Sequence, residues 1–385
     1  MRTDGNHAPL RVRRLIFVDH SGAPGGGQLG LGRYLAQPSA FHRTAVFIAD
    51  GEIAHRPADS AVEKVILNPG VDHSRSTLLR SIPRLRSLLR HLDDDDAVII
   101  SNSGYASLAL ALAGLPRKKL ISYLRTQPTP PESSRLKRWF DGRIVYGRFA
   151  GYLANSRWTQ RSIPPSLSRR PSRVAYPLSG LLPADSAGRT QALADVQSIR
   201  IASFSRLDRW KGLDTLLDAA ELLAARDRAL SITVDIFGGS HDADPAYAES
   251  LRARISDAPF TATLHGHVSD VSVRMRAADI VVVPSLQPEP FGQVVAQALS
   301  HGCVTIVSNQ GGAIEQIHDG ANGLVFEPGD AVSLADALAR VIDEPGLAQK
   351  LTADARGYGD SMSDPALASA FDDAVTELMD ELKRS

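Results

Sequence analysis

Two cations and one carboxylate in the second half of the chain have the chemistry needed to bind a sugar diphosphate. Arg206 and Lys211 share a loop that follows a β-rich run. A guanidinium presents a planar fork to phosphate oxygens and an ammonium presents a compact charge, so the two can close around a diphosphate. Glu289 lies further along the chain, and its carboxylate can accept hydrogen bonds from sugar hydroxyls. An isolated pair of cations on such a loop is more often a solvated surface pair, so the pairing with Glu289 carries the prediction.

The elements around Glu289 predict how these groups are positioned. Residues 279–283, DIVVV, are short and β-branched and end at a proline, which is typical of a buried parallel strand. The loop Glu289-Pro290-Phe291-Gly292 then opens an apolar helix that Gly302 can terminate. The first backbone N–H groups of a helix have no partner within the helix, so those at Gly292 and Gln293 can bind a phosphate.

This frame, PSLQPEPFGQVVAQALSHG, resembles the donor-site signature of retaining glycosyltransferase family 4, the glycosyl transferases group 1. Glu289 occupies the first acidic position of that signature. The resemblance implies a GT-B fold, in which two Rossmann-like, doubly wound α/β domains face a cleft. It also implies transfer of a sugar from a nucleoside diphosphate, most often UDP, to a hydroxyl of an acceptor.

The family resemblance also implies roles for individual residues. Arg206 and Lys211 would neutralise the departing diphosphate, with the amides of Gly292 and Gln293 assisting. Glu289 would hold the donor sugar. The transfer would retain configuration without a metal, a cofactor or a side-chain nucleophile. Further donor contacts would come from the N-terminal glycines, the segment near the nucleobase and the residue before Gly292, namely Gly26, Gly27, Gly266, His267, Val268 and Phe291.

The second acidic position of the signature, which in the family binds the ribose, is Gln297 in this chain. A glutamine keeps one carbonyl acceptor, loses the charge and gains a donor. We therefore expect altered nucleotide recognition, and a pseudo-transferase that binds nucleotide sugars without turnover is one alternative.

The glycine-rich loop after the first strand supports a second alternative. Gly25, Gly27 and Gly30 fit the spacing GxGxxG, and Asp50 ends the second strand where a dinucleotide-binding fold places its ribose-binding acid. An NAD(P)-dependent oxidoreductase is therefore a rival. Its loop would be unusually loose, with a proline and three consecutive glycines, and it gives no role to Arg206, Lys211 or Glu289.

The acceptor side is less defined. His20 follows the first strand, and Arg125 lies at the end of another strand, where members of the resembling family often carry a histidine. Both are candidate acceptor residues. The basic and aromatic stretch Arg135–Arg148 could touch a membrane, but its Asp141 and the zero net charge favour an ordinary helix and hence a soluble acceptor. The Arg- and Ala-rich composition resembles that of a high-GC bacterium, where enzymes of the resembling family often modify natural products such as antibiotics.

Composition sets the class of protein. The chain has 385 residues, 43% hydrophobic and 22% charged, with a formal net charge of zero. Two globular domains are expected, with no nucleic-acid partner and no stable membrane insertion. The single Cys303 excludes an intrachain disulfide. The chain has no long apolar run, so a cytoplasmic location is the default.

No metal is expected: Asp93–Asp96 precedes a strand, and His265 with His267 lacks a third ligand. The oligomeric state is left open.

Strands alternate with helical segments along both halves, which predicts parallel sheets covered on both faces. The predicted acceptor-side domain comprises residues 1–178, and a last helix at about 363–385 packs back on it. The predicted donor domain comprises residues 179–362. Strands are expected at 15–18, 45–48, 97–100, 119–123, 200–204, 232–237, 280–283, 304–307 and 323–326.

Overall fold

A computed structural model describes residues 14–92, 96–181, 198–226, 230–239 and 245–384. The chain divides into two compact units. The first comprises Met1–Leu178 with Leu367–Ser385, and the second comprises Ser179–Ala366. Each unit is built on a parallel sheet. Residues 93–95 of the aspartate run and most of the Pro/Ser/Ala-rich segment after Tyr176 lie outside the described residues.

The first unit has a parallel sheet in the order β3-β2-β1-β4-β5-β6-β7. Its strands are β1 (Arg14–Asp19), β2 (His42–Phe47), β3 (Val62–Ile66), β4 (Ala97–Ser101), β5 (Leu120–Leu124), β6 (Gly151–Ala154) and β7 (Ser172–Val174). Its helices are α1 (Gly26–Ala36), α2 (Glu52–His55), α3 (Arg75–Leu92), α4 (Gly104–Ala113), α5 (Arg135–Phe140) and α6 (Arg157–Arg161). The central strands are buried on both faces, as their continuous apolar runs require.

The second unit repeats this plan with the order β10-β9-β8-β11-β12-β13. Its strands are β8 (Ser198–Phe204), β9 (Ser231–Phe237), β10 (Thr261–Gly266), β11 (Ile280–Val283), β12 (Val304–Ser308) and β13 (Leu324–Phe326). Its helices are α7 (Leu213–Arg226), α8 (Pro245–Ser256), α9 (Val271–Ala277), α10 (Gln293–Ser300), α11 (Ala331–Asp343) and α12 (Leu347–Ser361).

The last helix, α13 (Asp364–Arg384), begins in the second unit and continues into the first. In the first unit its Phe371 packs against the rings of Phe17, Tyr34 and Tyr123, at centroid distances of 5.9, 4.6 and 5.5 Å. The next residue, Asp372, accepts a hydrogen bond of 2.5 Å from the Tyr34 hydroxyl. This helix therefore completes the core beside β1 and β5.

Both sheets have a point at which the strand order reverses, β1 beside β4 in the first unit and β8 beside β11 in the second. Helices leave neighbouring strands in opposite directions there, so the loops at the carboxyl ends of the strands part and form a crevice. Ligands of doubly wound sheets bind at this place. The loops after β1, β4, β8 and β11 are therefore where functional side chains are expected.

Candidate functional site

The loop after β8 carries Arg206 and Lys211 and is held against the loop after β11. Gly212 follows Lys211 with a φ of +69°, and a Cβ placed there would lie 1.9 Å from the carbonyl oxygen of Pro284. The amide of Leu286 also donates to the carbonyl of Trp210 at 2.7 Å. Only a glycine allows this approach, and it brings Lys211 to the end of β11.

Lys211 and Glu289 form an ion pair at this end of the sheet. The Lys211 Nζ lies 2.5 Å from the Glu289 Oε1, and the two side chains are 15% and 13% exposed. The Ser285 hydroxyl donates to the same carboxylate oxygen at 2.7 Å, and the Lys211 Nζ lies 4.0 Å from the ring centroid of Trp210. Two of the predicted site residues, which lie far apart in the sequence, are therefore in contact. Ser285 and Trp210 were missed, although Ser285 belongs to the same PS…EPFG frame.

Arg206 lies on the same loop but makes a different contact. Its guanidinium pairs with the Asp208 carboxylate at 2.9 Å, and its side chain is more exposed than that of Lys211. Because the Arg206 side chain is largely exposed, this ion pair contributes little to stability. Asp208 was not singled out from the sequence.

The loop that carries Glu289 is fixed by the segment after β12. The amide of Gly312 donates to the Glu289 carbonyl at 2.6 Å, and the Gln316 side chain donates to the carbonyls of Phe291 and Gly292. Gly292 has a φ of +82° and caps α10 without a side-chain hydrogen bond, and Phe291 is buried beneath it. The predicted helix start at Gln293 thus stands directly after the Glu289 loop.

Gln297 makes a contact that a glutamate could not make. Its Nε2 donates to the backbone carbonyl of Ser179 at 2.7 Å, within the second unit. The side-chain oxygen of Gln297, Oε1, can still accept a hydrogen bond from a hydroxyl. The substitution seen in the sequence therefore ties α10 to the start of the second unit.

The predicted nucleobase segment lies at the end of β10. Gly266 has a φ of +73° and its carbonyl accepts from the amide of Gly238 at 2.8 Å. Val268 packs against the apolar cluster around β8, β9 and β11. His265 is held by Asp235 at 2.7 Å and stacks on the ring of Phe237 at 4.4 Å. Among the described residues, no group of three His, Cys, Asp or Glu is placed to bind a metal.

In the first unit, both candidate acceptor residues belong to one hydrogen-bond network. His20 Nδ1 lies 2.8 Å from the carboxylate of Asp19, and Asn102 donates to the other Asp19 oxygen at 2.5 Å. Arg125 in turn donates to the side-chain amide oxygen Oδ1 of Asn102 at 2.5 Å. Asp19 is fully buried; burial opposes its ionisation, but hydrogen bonds from His20 and Asn102 hold its pKa below the ordinary value. The network was not foreseen, although Asp19 directly precedes His20.

An aromatic and polar group surrounds His20. The Ser103 hydroxyl lies 2.8 Å from His20 Nδ1, and Ser103 also caps α4. The rings of His73 and Tyr105 lie 4.4 and 5.2 Å from the His20 ring. Burial and the neighbouring His20 lower the pKa of His73. This group of rings and polar atoms can hold a hydroxylated ring by stacking and hydrogen bonding.

The glycine-rich loop leads into α1, which begins at Gly26. A Cβ on Gly27 would lie 3.7 Å from the Arg125 side chain, and the Gly27 carbonyl accepts from Asn102 at 3.2 Å. Gly26 and Gly27 therefore adjoin the His20 network, and their predicted contact with a donor stays a prediction.

The arrangement around Asp50 weakens the oxidoreductase alternative. Its carboxylate accepts hydrogen bonds from the amides of Gly51 and Gly70 at 2.7 and 2.6 Å and contacts His55 at 2.7 Å. The acid that a dinucleotide ribose would require is thus engaged in holding two loops together.

Comparison with known proteins agrees with this geometry. Residues 188–358 match the model of the family described as glycosyl transferases group 1. The matched residues all lie within the second unit. The match includes Arg206, Lys211, Glu289 and Gln297.

Curated relatives match over a similar part of the chain. A D-inositol 3-phosphate glycosyltransferase of Streptomyces griseus is 30% identical over 186 residues, which is 46% of this chain and 39% of the relative. The enzyme of the same name from Rhodococcus opacus is 31% identical over 188 residues, or 46% of this chain and 41% of the relative. The chain thus spans about two fifths of the length of these relatives.

Solved structures match both units. HepE of Anabaena, solved in complex with UDP and glucose, has a TM-score of 0.73 at 21% identity and covers 95% of this chain and 99% of its own. A sucrose-phosphate synthase of Thermosynechococcus elongatus has a TM-score of 0.70 at 17% identity, covering 96% and 100%. The predicted fold class, two Rossmann-like α/β domains of the GT-B kind, is confirmed.

Proposed function

We propose that this protein is a retaining glycosyltransferase that moves a sugar from a nucleoside diphosphate to a hydroxyl of a small acceptor, without a metal. The observation that carries the proposal is the Lys211–Glu289 pair with Ser285, positioned at the strand-order reversal of a unit that matches glycosyl transferases group 1. A cation for a diphosphate and a carboxylate for sugar hydroxyls meet at one place.

Donor binding would exchange these partners. Lys211 would leave Glu289 for a phosphate oxygen, and Glu289 would then accept hydrogen bonds from the donor sugar. Arg206 would release Asp208 in the same way. The N-terminal end of α10 would add its dipole, since a helix carries partial positive charge at its start. UDP is the proposed nucleotide because HepE was solved with UDP and glucose.

The reaction would break the bond between the anomeric carbon and the diphosphate as negative charge builds on the phosphate oxygens. Lys211 and Arg206 would stabilise that charge, a contribution that typically changes rates by about 10²–10³-fold. The acceptor oxygen would then bond to the same face of the sugar, and the leaving phosphate would take the acceptor proton. No side-chain nucleophile is needed, and configuration would be retained.

The network of His20, Asp19, Asn102 and Arg125 is the proposed acceptor site. The curated relatives are named for D-inositol 3-phosphate, which favours a polyhydroxylated ring as the acceptor class. The natural-product acceptor suggested by composition stays a prediction.

A thermal-shift screen of UDP, GDP, ADP, their sugar conjugates, NAD and NADP tests the proposal. A ligand at 100 times its Kd stabilises the fold by about 2.7 kcal/mol. Stabilisation by one nucleoside diphosphate, together with turnover of its sugar conjugate in EDTA, is the expected result. Stabilisation only by NAD or NADP would favour the oxidoreductase, and binding without turnover when inositol phosphates and related cyclitols are supplied would favour the pseudo-transferase.

Retention is tested separately. Proton coupling constants of the product report whether the new bond has the configuration of the donor. An inverted product would contradict the retaining mechanism while leaving the donor site intact.

A further inference from the structure

Helix α5 and the turn that follows it leave an apolar face exposed in the first unit. Leu136 is 74% exposed, Trp139 56%, Phe140 38% and Ile144 36%. No residue of α5 is buried. Residues at spacings of three and four lie on the same side of a helix, so these side chains form one surface rather than scattered points. The sequence favoured an ordinary helix here, but an ordinary surface helix buries its apolar side.

Cations surround this surface. Arg135, Lys137, Arg138 and Arg143 lie in the same stretch, and Asp141 is the only acidic residue between Ser134 and Arg148. The Asp141 carboxylate is already bonded to Lys137. The overall net charge of zero therefore conceals a local excess of positive charge next to exposed apolar side chains.

A cavity of about 590 Å³ adjoins the helix and is lined by Arg117, Arg138, Arg143 and Arg170, with no acidic residue among its described lining. Arg170 donates to backbone carbonyls, including that of Phe149 at 2.9 Å, rather than to a carboxylate. Burial and the positive charges of Arg170 and Arg148 lower the pKa of Arg117. Cations crowded in this way form a receptor for an anion such as a phosphate.

We propose that this α5 face, meaning residues 135–144 with the arginine cavity, docks the protein on a bilayer that contains anionic phospholipid. Amphipathic helices with basic residues on the polar face and Trp, Phe or Leu on the other lie in the plane of a membrane interface. The cavity would take lipid phosphate, and the apolar side chains would enter the acyl boundary. Charge complementarity argues for an anionic lipid surface, because the stretch carries several cations and its one carboxylate is already paired with Lys137.

Flotation with vesicles tests the proposal on the full chain. The protein should bind vesicles of phosphatidylcholine mixed with phosphatidylglycerol, bind vesicles of phosphatidylcholine alone much less, and detach as salt is raised. Each of Arg138→Gln and Arg143→Gln should weaken binding about fivefold, since a cation near an anionic surface contributes about that factor. The variant Leu136→Ser/Trp139→Ser should reduce binding at least tenfold.

Two variants of the second unit serve as matched controls. Val332→Ser removes an apolar side chain whose exposed fraction, 54%, is similar to the 56% of Trp139. Arg252→Gln removes an exposed cation. Both should bind vesicles as the wild type does. Brominated lipid should quench the wild-type tryptophan fluorescence, and Trp139→Phe should lose most of that quenching.

Three results would overturn the proposal: no binding of the wild type to anionic vesicles, equal binding by Leu136→Ser/Trp139→Ser, or dimers in the absence of lipid that this variant abolishes. The last result would identify a second copy of the chain as the occupant. All the variants lie outside the donor site, so stabilisation by UDP tests the proposed transferase independently.

Discussion

At the scale of single residues, the proposed donor site depends on one ion pair, Lys211 with Glu289, that would serve two purposes. Lys211 and Glu289 hold each other in a position with little exposure, where an unpaired charge is costly. The same two groups have the chemistry to bind a diphosphate and a sugar. A pair that is moderately stable, rather than deeply buried, can exchange partners when a donor arrives.

Removing Lys211 tests both purposes. Lys211→Met should lower kcat by about 10²–10³-fold through lost stabilisation of the leaving diphosphate. It should also lower the free energy of unfolding by about 1–3 kcal/mol, because Glu289 is left without its partner. Initial rates and urea denaturation measure the two effects. The double variant Lys211→Met/Glu289→Gln should recover part of the lost stability and none of the rate. A double variant no more stable than Lys211→Met would show that the two side chains are not coupled.

The histidine beside His20 gives a pH-dependent prediction. The pKa of His73 is lowered in the folded state, so the unfolded chain binds its proton first as pH falls. The contribution of His73 to the free energy of unfolding is therefore fully present above the ordinary histidine pKa of about 6.5. It is lost as the pH falls towards the lower pKa of the folded state. His73→Gln should flatten the dependence of the unfolding free energy on pH between about 7.5 and 5.5. His42→Gln, at an exposed histidine, is the control, and an unchanged slope in His73→Gln would contradict the assignment.

At the scale of elements, close backbone approaches position the charged side chains. The turn at Gly212 lets the Lys211 loop touch the Pro284 carbonyl, and the Gly292 turn starts α10 beside Glu289. Glycine is required at these two positions by the backbone geometry, which the residue types alone do not reveal.

Gly212→Ala should lower the free energy of unfolding by at least about 2 kcal/mol, because a left-handed alanine is strained and its Cβ would overlap the Pro284 carbonyl. Gly320→Ala is the matched control, since Gly320 has a φ of +73° but no atom within 4 Å of its virtual Cβ. The control should lose only about 1–2 kcal/mol. Equal losses in urea denaturation would mean that the contact with Pro284 is unimportant.

The contact between α10 and Ser179 explains the departure at Gln297. Gln297→Glu places a carboxylate against a carbonyl oxygen, so it should lower the free energy of unfolding by about 1–3 kcal/mol. Gln297→Met, which has no charge, should cost less. Chemical denaturation compares the two, while KM for the nucleotide sugar shows whether the glutamate restores a ribose contact.

At the scale of the whole molecule, the last helix belongs to both units. Phe371 of α13 fills the space between Phe17, Tyr34 and Tyr123 in the first unit, while Asp364 at its start accepts hydrogen bonds from the amides of Gly180 and Leu181 in the second. Phe371→Ala should therefore cost about 3–5 kcal/mol of stability. Val332→Ala, at an exposed position, should cost little, and a similar loss in both would contradict the role of α13.

No helix of the described residues is long and apolar enough to cross a membrane. The α5 face offers surface docking instead. If the vesicle experiments support that docking, acceptors displayed at a bilayer become the first to assay.

The sequence by itself predicted the doubly wound architecture, because buried parallel strands are continuous apolar runs that a local pattern reveals. Strands β1, β4, β8 and β11 lie within a residue or two of the predicted ranges. The edge strands β3, β7 and β10 were missed, since half-exposed strands carry polar residues and lack that signal. The buried strand β6 was also missed, because its four residues, GYLA, are too few and too poor in β-branched side chains to give a clear pattern. The motif around Glu289 could also be recognised from the sequence, because its loop and the helix α10 follow each other directly in the chain.

Only the tertiary structure decided which side chains meet. The contact of Lys211 with Glu289, the network that joins His20 to Arg125, and the bond from Gln297 to Ser179 all link residues far apart in the chain. These contacts depend on which strands are neighbours in the sheet. A local sequence pattern locates each strand but does not reveal its neighbours. Exposure of the α5 face has the same cause: whether an amphipathic helix is covered depends on what packs against it.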